Sequence, residues 1–143
     1  MFSPQFSPAT GRSNPFAGAY REVDAQTAVA SATPHRLVAM LFDGYLDALA
    51  QAIGALRQGQ HETKCRAIGR AARIIDEGLR AALNLREGGE LAADLHALYG
   101  YLTTRLTLAN LRNDEKLISE CQRLVTPLRD AWLEIGPRVG AAR

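Results

Sequence analysis

Cysteine, aromatic residues and net charge are all scarce in this chain of 143 residues. Two cysteines, Cys65 and Cys121, are too few for a disulfide framework, so we expect both to be reduced and half-buried. Aromatic residues make up only 6%, which is low for a protein built on β-sheets. Seventeen basic and fifteen acidic residues leave a formal charge of +2, which argues against a protein built mainly to neutralise phosphates.

Two further absences concern hydrophobic runs and proline. The sequence has no uninterrupted apolar run of membrane-spanning length and no basic-then-apolar start, so we expect neither a membrane span nor a secretory signal. We therefore expect a cytoplasmic protein. No proline lies between Pro34 and Pro127, which leaves room for long unbroken helices. The 24 alanines and 19 leucines are typical of packed helices, and the length fits one domain.

The chain divides into a tail, a body and a short end. Three prolines interleaved with serine, glycine and asparagine predict a flexible tail over residues 1–16, with phenylalanine at positions 2, 6 and 16. A short amphipathic helix is predicted over residues 17–30. The helical domain is expected to cover residues 17–136, and residues 137–143 are expected to be a flexible C-terminus.

Apolar residues that recur every three or four positions predict four longer helices. Thr33 and Pro34 have the residue types of an N-cap and a first helical position, and Gly59 is expected to end that helix. We expect Gly88 and Gly89 to break the chain and Asn113 to cap the last helix, with Pro127 inside it. The predicted helices run from Pro34 to Arg57, His61 to Arg86, Glu90 to Leu111 and Asn113 to Gly136.

Short links between long helices favour antiparallel neighbours. The predicted fold is therefore all-α: an antiparallel up-down four-helix bundle, with a short additional N-terminal helix and a disordered N-terminal tail.

Three of the helices carry more apolar residues than one bundle core needs. On the first, third and last long helices, a second row of apolar residues lies next to the row that is expected to face the core. The members of these second rows are Val38, Phe42, Leu46 and Leu49; Ala97, Tyr101, Thr104, Leu108 and Leu111; and Ile118, Val125, Trp132 and Ile135. Exposed apolar rows of this kind usually mark an interface with a partner. Alternatively, the N-terminal segment, the tail or a second copy of the chain covers them. Five mid-helix glycines fit either close helix packing or a groove for another chain.

Reactive constellations are not supported. His61 and Cys65 are four residues apart, but further metal ligands at a supporting spacing are missing. Phosphate-binding glycine loops and zinc-protease motifs do not occur, and carboxylates are not followed by histidine as di-iron bundles require. We expect no catalysis, no cofactor, no metal and no nucleic-acid partner.

Four stretches together resemble the flagellin-specific export chaperone family, FliS. They are Ala19–Tyr20; Val29–Leu37 leading into Leu41–Gly44; Glu87–Asn110; and Leu128–Trp132. The resemblance implies a helical bundle without enzymatic activity that binds the disordered C-terminal region of newly made flagellin and prevents premature polymerisation. It also implies delivery to the export gate of the flagellar type III secretion apparatus.

By this interpretation, an amphipathic flagellin segment lies in apolar grooves of the helices, and Asn110 fixes its register by hydrogen bonds. The candidate residues are Tyr20, Leu37, Met40, Leu41, Phe42, Tyr45, Leu98, Tyr101, Leu102, Leu108 and Asn110. Any of them is instead core if the bundle itself covers it. Tyr20 lies on the short segment 17–30, which we expect to occupy part of the client site until flagellin displaces it. The alternative function is a small helical scaffold or regulator that dimerises through its apolar rows, whereas the chaperone is a monomer or weak dimer when free.

Overall fold

The computed structural model describes residues 32–141 of the chain. These residues form four α-helices, and no strand occurs among them: α1 (Pro34–Arg57), α2 (His61–Arg73), α3 (Leu85–Arg112) and α4 (Glu115–Ala141). A π-helical segment, Ile74–Leu79, continues α2. The predicted all-α class is confirmed over this range, whereas the predicted tail and the segment 17–30 lie outside the described residues.

Helix α1 begins and ends where the sequence predicts. Pro34 is its first residue, a position at which the missing proline N–H costs no helical hydrogen bond. Gly59, two residues after its end, has φ +71°, a left-handed conformation that glycine adopts without steric cost. Among the described helices, α1 is also long and apolar enough to pass as a membrane span by composition. Seven of its 24 residues are buried in the core, and a core helix passes the same test of length and composition.

Helix α2 is shorter than predicted. The expected helix to Arg86 is wrong, because regular α-helical structure ends at Arg73 and the π-helical segment ends at Leu79. This segment packs closely on α1 at Gly78, where a Cβ atom would lie 2.8 Å from Leu41 Cδ2. The close packing at Gly78 is a tertiary contact that sequence periodicity does not report.

Helix α3 begins at Leu85, five residues earlier than predicted. The expected break at the glycine pair is present as a kink inside the helix, since Gly89 has φ 56° and ψ −132°. Asn113 follows α3 with a left-handed φ of 52°. The predicted Asn113 cap is wrong, because the Asp114 carboxylate accepts the hydrogen bond from the Lys116 N–H at 2.9 Å.

Helix α4 continues to Ala141, so the predicted end at Gly136 is wrong. It also passes through Pro127, whose nitrogen has no hydrogen to donate to the carbonyl of Arg123. Pro127 is exposed, so water reaches the backbone at this turn.

The packed helix pairs are α1 with α2, α1 with α4, α2 with α3, and α3 with α4. Three contacts define the direction of α1 against α4. The His35 and Trp132 rings stack at 5.0 Å, Arg129 Nε donates to Asp43 Oδ1 at 2.9 Å, and Arg57 Nη2 donates to Glu115 Oε2 at 2.6 Å. Because the start of α1 meets the end of α4, these two helices run in opposite directions.

Among the residues whose burial the structure describes, one charged side chain lies in the core. Lys64, on α2, is fully buried. Its Nζ donates to the carbonyl of Asn110 at 3.0 Å and to the side-chain oxygen of Asn113. These bonds tie the start of α2 to the link between α3 and α4.

Candidate partner-binding surface

The second apolar row of α3 lies outside the core. Leu102, Leu106 and Ala109, on the opposite side of the helix, are buried, whereas Tyr101 and Leu111 of the second row are 44% and 77% exposed. Ala97 and Thr104 are also exposed, and Leu108 is half-buried. Leu91, near the start of the helix, is also 68% exposed, but it precedes Leu98 by seven residues and so lies on the side of α3 that faces the core further along. The prediction of an uncovered second row is therefore confirmed on α3, and we call Ala97, Tyr101, Thr104, Leu108 and Leu111 the outer row.

The expected second rows on α1 and α4 are largely used by the core. Phe42 and Leu49 of α1 are buried, as are Ile118 and Val125 of α4. The expectation of an uncovered row is wrong at these positions, because α1 and α4 pack on each other and each has a further helical neighbour. Ile135, near the end of α4, is exposed.

The candidate residues on α1 lie at different depths. Phe42 and Tyr45 are core residues, and Leu41 is half-buried against the core at Gly78. Leu37 and Met40 are half-buried in the first two turns of the helix. On α1, Leu37 and Met40, and part of Leu41, thus remain accessible at the surface.

The candidate residues on α3 divide in the same way. Leu102 is in the core, and Leu98 and Leu108 are half-buried against it, so Tyr101 is the most accessible of this group. Asn110 is half-buried, and its side-chain oxygen lies 3.4 Å from Cys65 Sγ, within reach of the thiol hydrogen.

The candidate set does not form one continuous surface among the described residues. Helices α1 and α3 each pack mainly on α2 and α4. Buried members of the set meet instead through Cys121 of α4, which lies beside Tyr45 and 4.0 Å from the Leu102 carbonyl. Burial raises the pKa of the Cys121 thiol to about 11 and that of the Tyr45 hydroxyl further, so both stay protonated at neutral pH. Tyr20 lies outside the described residues.

A charged pair fixes Tyr101 at the surface. The Tyr101 hydroxyl donates to Glu120 Oε2 at 2.6 Å, and Arg105 Nε donates to Glu120 Oε1 at 2.9 Å. The Arg105 guanidinium also lies over the Tyr101 ring, 5.6 Å from its centroid. The hydrogen bond from Tyr101, and then that from Arg105, hold the pKa of Glu120 below its usual range. Glu120 is therefore an ionised acceptor at neutral pH.

Two other reactive side chains lie close together on α2. His61 Nε2 and Cys65 Sγ are 3.6 Å apart, but the described residues contain no group of three metal-ligating side chains. A cavity of about 290 Å³ lies between the end of α1 and the start of α2, lined by Leu56, Lys64 and Asn113 among others. Its lysine is already bonded within the protein.

Sequence reasoning missed Glu120 and Arg105 as parts of this surface. Arg105 follows Tyr101 by four residues, a spacing that places two side chains side by side on a helix. The sequence alone could therefore have indicated Arg105 as a neighbour of Tyr101. Glu120 comes from the neighbouring helix, and its pairing depends on how α4 packs against α3, which spacing along the chain does not reveal.

The chain is similar to several flagellar secretion chaperones of bacteria. The chain is 45% identical to the flagellar secretion chaperone FliS of Salmonella typhimurium over 120 residues, which cover 84% of this chain and 89% of the relative. It is 42% identical to the flagellar secretion chaperone FliSB of Pseudomonas aeruginosa, over 79% of this chain and 89% of the relative. The FliS of Bacillus subtilis is 37% identical over 75% of this chain and 78% of the relative.

The helical fold and these relatives define the class of the protein as a flagellar secretion chaperone. More particularly, the chain belongs to the FliS family, because the model of the family described as flagellar protein FliS matches residues 16–139.

Proposed function

We propose that this protein binds the disordered C-terminal region of flagellin in the cytoplasm, prevents its premature polymerisation and delivers it to the flagellar export gate. It acts by binding, without catalysis. The observation that carries the proposal is the outer row of α3, an apolar surface in a secretion-chaperone fold that the core leaves uncovered. Exposed apolar rows of this length are typical of helix-binding surfaces.

The outer row has the dimensions of a helix partner. From Ala97 to Leu111 it spans 14 residues, or about 21 Å at 1.5 Å per residue. A disordered client segment that folds on such a surface pays an ordering cost of about 2–5 kcal/mol, which the burial of apolar area offsets. Leu37 and Met40 of α1 are a second contact region for a segment long enough to wrap around the protein.

The proposed architecture is an antiparallel up-down four-helix bundle with a short additional N-terminal helix. The opposite directions of α1 and α4, and the alternation of packed neighbours, support it. We also propose that the segment 17–30, which includes Tyr20, covers part of the client site in the free protein. A helix of this length is marginal in water on its own, so it needs a surface to dock on. Hydrogen exchange should then show weaker protection of this segment when flagellin is bound, and equal protection would contradict displacement.

The test of client binding uses the full chain and a peptide of the flagellin C-terminal region, with affinity measured by calorimetry. Leu111→Asp should weaken binding by about tenfold or more, because it places a charge on an exposed apolar contact. Gln51→Asp, on an exposed position of α1, is the matched control and should leave the affinity unchanged. Both variants should keep the helical circular dichroism of the parent.

Two results would count against the proposal. One is an Leu111→Asp variant that binds the peptide as tightly as the parent chain. The other is a stable dimer, detected by light scattering, that ignores flagellin, which would support a helical scaffold instead. A monomer that becomes a one-to-one complex on addition of flagellin supports the chaperone.

A further inference from the structure

The Tyr101 ring is held in place from two helices. Its hydroxyl is bonded to Glu120 of α4, and the same carboxylate receives Arg105 Nε from α3. Arg105 also covers the ring at a centroid distance of 5.6 Å. A surface tyrosine usually loses side-chain freedom when a partner binds, at a cost of about 0.5–1.5 kcal/mol for each immobilised side chain. Much of that cost is already met here, because the ring is fixed before binding.

The surroundings of the ring favour an uncharged occupant. Glu120 is ionised and paired with the guanidinium of Arg105, so the two charges beside the ring compensate each other. The hydrogen bond to Glu120 raises the pKa of Tyr101, which stays a neutral phenol at neutral pH. A charged side chain that approached the ring would therefore find Glu120 and Arg105 already paired with each other, although Arg123, whose charge also lowers the pKa of Glu120, is exposed nearby.

Space for such an occupant lies one helical turn before the ring. Ala97 precedes Tyr101 by four residues on the same face of α3, and it is exposed. Arg105 follows Tyr101 by one turn, and its guanidinium lies over the ring. Ala97 carries only a methyl group, so it takes up little room one turn before the ring.

We propose that Glu120 and Arg105 are positioning residues that hold Tyr101 as the wall of a notch above Ala97, and that this notch receives one large apolar side chain of the client segment. The inference rests on the proposed function and deepens it, because it names the chemistry of one anchor. A fixed aromatic side chain beside a small residue is the arrangement typical of a binding hot spot.

The first experiment fills the notch. Ala97→Leu should weaken binding of the flagellin C-terminal peptide by about tenfold, because the added side chain occupies the space of the anchor. Ala50→Leu is the matched control, since Ala50 is exposed on α1, which packs mainly on α2 and α4. Leucine is a good helix former, so both variants should melt like the parent.

The second experiment tests the positioning role through a double-mutant cycle. Tyr101→Phe and Glu120→Ala should each weaken binding of the peptide several-fold. The double variant should bind the peptide no more weakly than the single variant with the lower affinity, because both substitutions release the same ring. Glu120→Gln should restore part of the affinity, since its amide oxygen still accepts the tyrosine hydroxyl. A purely structural role of Glu120 would move the melting temperature and the affinity together, without this rescue.

The outcomes separate this inference from the proposed function. If the parent chain binds the peptide and Ala97→Leu binds it equally well, the notch is overturned while the chaperone function stands. Additive effects in the cycle would overturn the positioning role alone. If Ala97→Leu changes only self-association of the chain, a second copy is the occupant and the inference is wrong. A parent chain that does not bind the peptide overturns both.

Discussion

Replacing the buried Lys64 tests what holds the start of α2 to the link between α3 and α4. In Lys64→Ala, the Asn110 carbonyl and the Asn113 amide oxygen both lose their donor. The half-buried Asn110 carbonyl left without a partner costs about 1–3 kcal/mol, whereas Asn113 is exposed and water can replace its lost bond. Loss of three buried methylene groups adds about 2.4 kcal/mol at about 0.8 kcal/mol each. Removal of a charged group from the core returns several kcal/mol. We expect a net loss of about 1–3 kcal/mol.

Lys64→Met separates these contributions, because methionine keeps most of the buried stem and removes only the donor. Its expected loss is about 1–2 kcal/mol, measured by urea denaturation followed by circular dichroism. For a domain of this size, 1 kcal/mol corresponds to roughly 4 °C in melting temperature. Lys116→Met, at the chain's other lysine, is exposed and should change stability by less than about 0.5 kcal/mol. A Lys64→Met variant as stable as the parent would refute the reasoning, because it would show that burying the charge costs as much as its hydrogen bonds contribute.

Three further predictions concern close packing and acid. Gly136→Ala should lower stability by about 1–3 kcal/mol and shift Trp132 fluorescence to the red, because a Cβ atom there would overlap the histidine stacked on that tryptophan. Gly78→Ala should cost about 1–3 kcal/mol in urea denaturation, whereas Gly54→Ala, with nothing within 4 Å, should gain up to about 1 kcal/mol. The pKa of Glu120 is lowered in the fold, so its contribution to stability is present above the usual carboxyl pKa and is lost as the pH falls through the lowered value. A carboxyl-carbon NMR titration should show that lowered midpoint, and an ordinary midpoint would contradict the tyrosine pairing.

Local signals in the sequence predicted the ends of α1 well. The Thr33–Pro34 pair and Gly59 act through their own backbone preferences, which do not depend on the rest of the fold. The end of α2 was beyond such reasoning, because the π-helical segment packs on α1 at Gly78. Asn113 has the residue type of a cap, yet its side chain is used by a lysine 49 residues earlier, and a contact of that sequence separation leaves no local pattern.

The candidate surface shows the same division. Spacing alone separated most of the two rows of α3, because that helix buries one side and exposes the other. It was wrong for Leu91, which it placed in the core row and which is exposed, and Leu108 of the outer row is half-buried. Spacing failed for Phe42 and Tyr45, since α1 has packed neighbours on two sides and buries both of its rows. A helix with a broad apolar face either exposes part of that face to solvent or is packed between several other helices. Only the arrangement of the other helices distinguishes the two cases.

The stacking of His35 on Trp132 joins residues 97 positions apart in the chain. During synthesis α1 leaves the ribosome first, and its contacts with α4 must wait until nearly the whole protein has been translated. Until then, the apolar side chains that α1 later packs against α4 lack their cover. Closure of this helix pair is thus a late event in biogenesis, and a truncated chain that ends before α4 should be prone to aggregation.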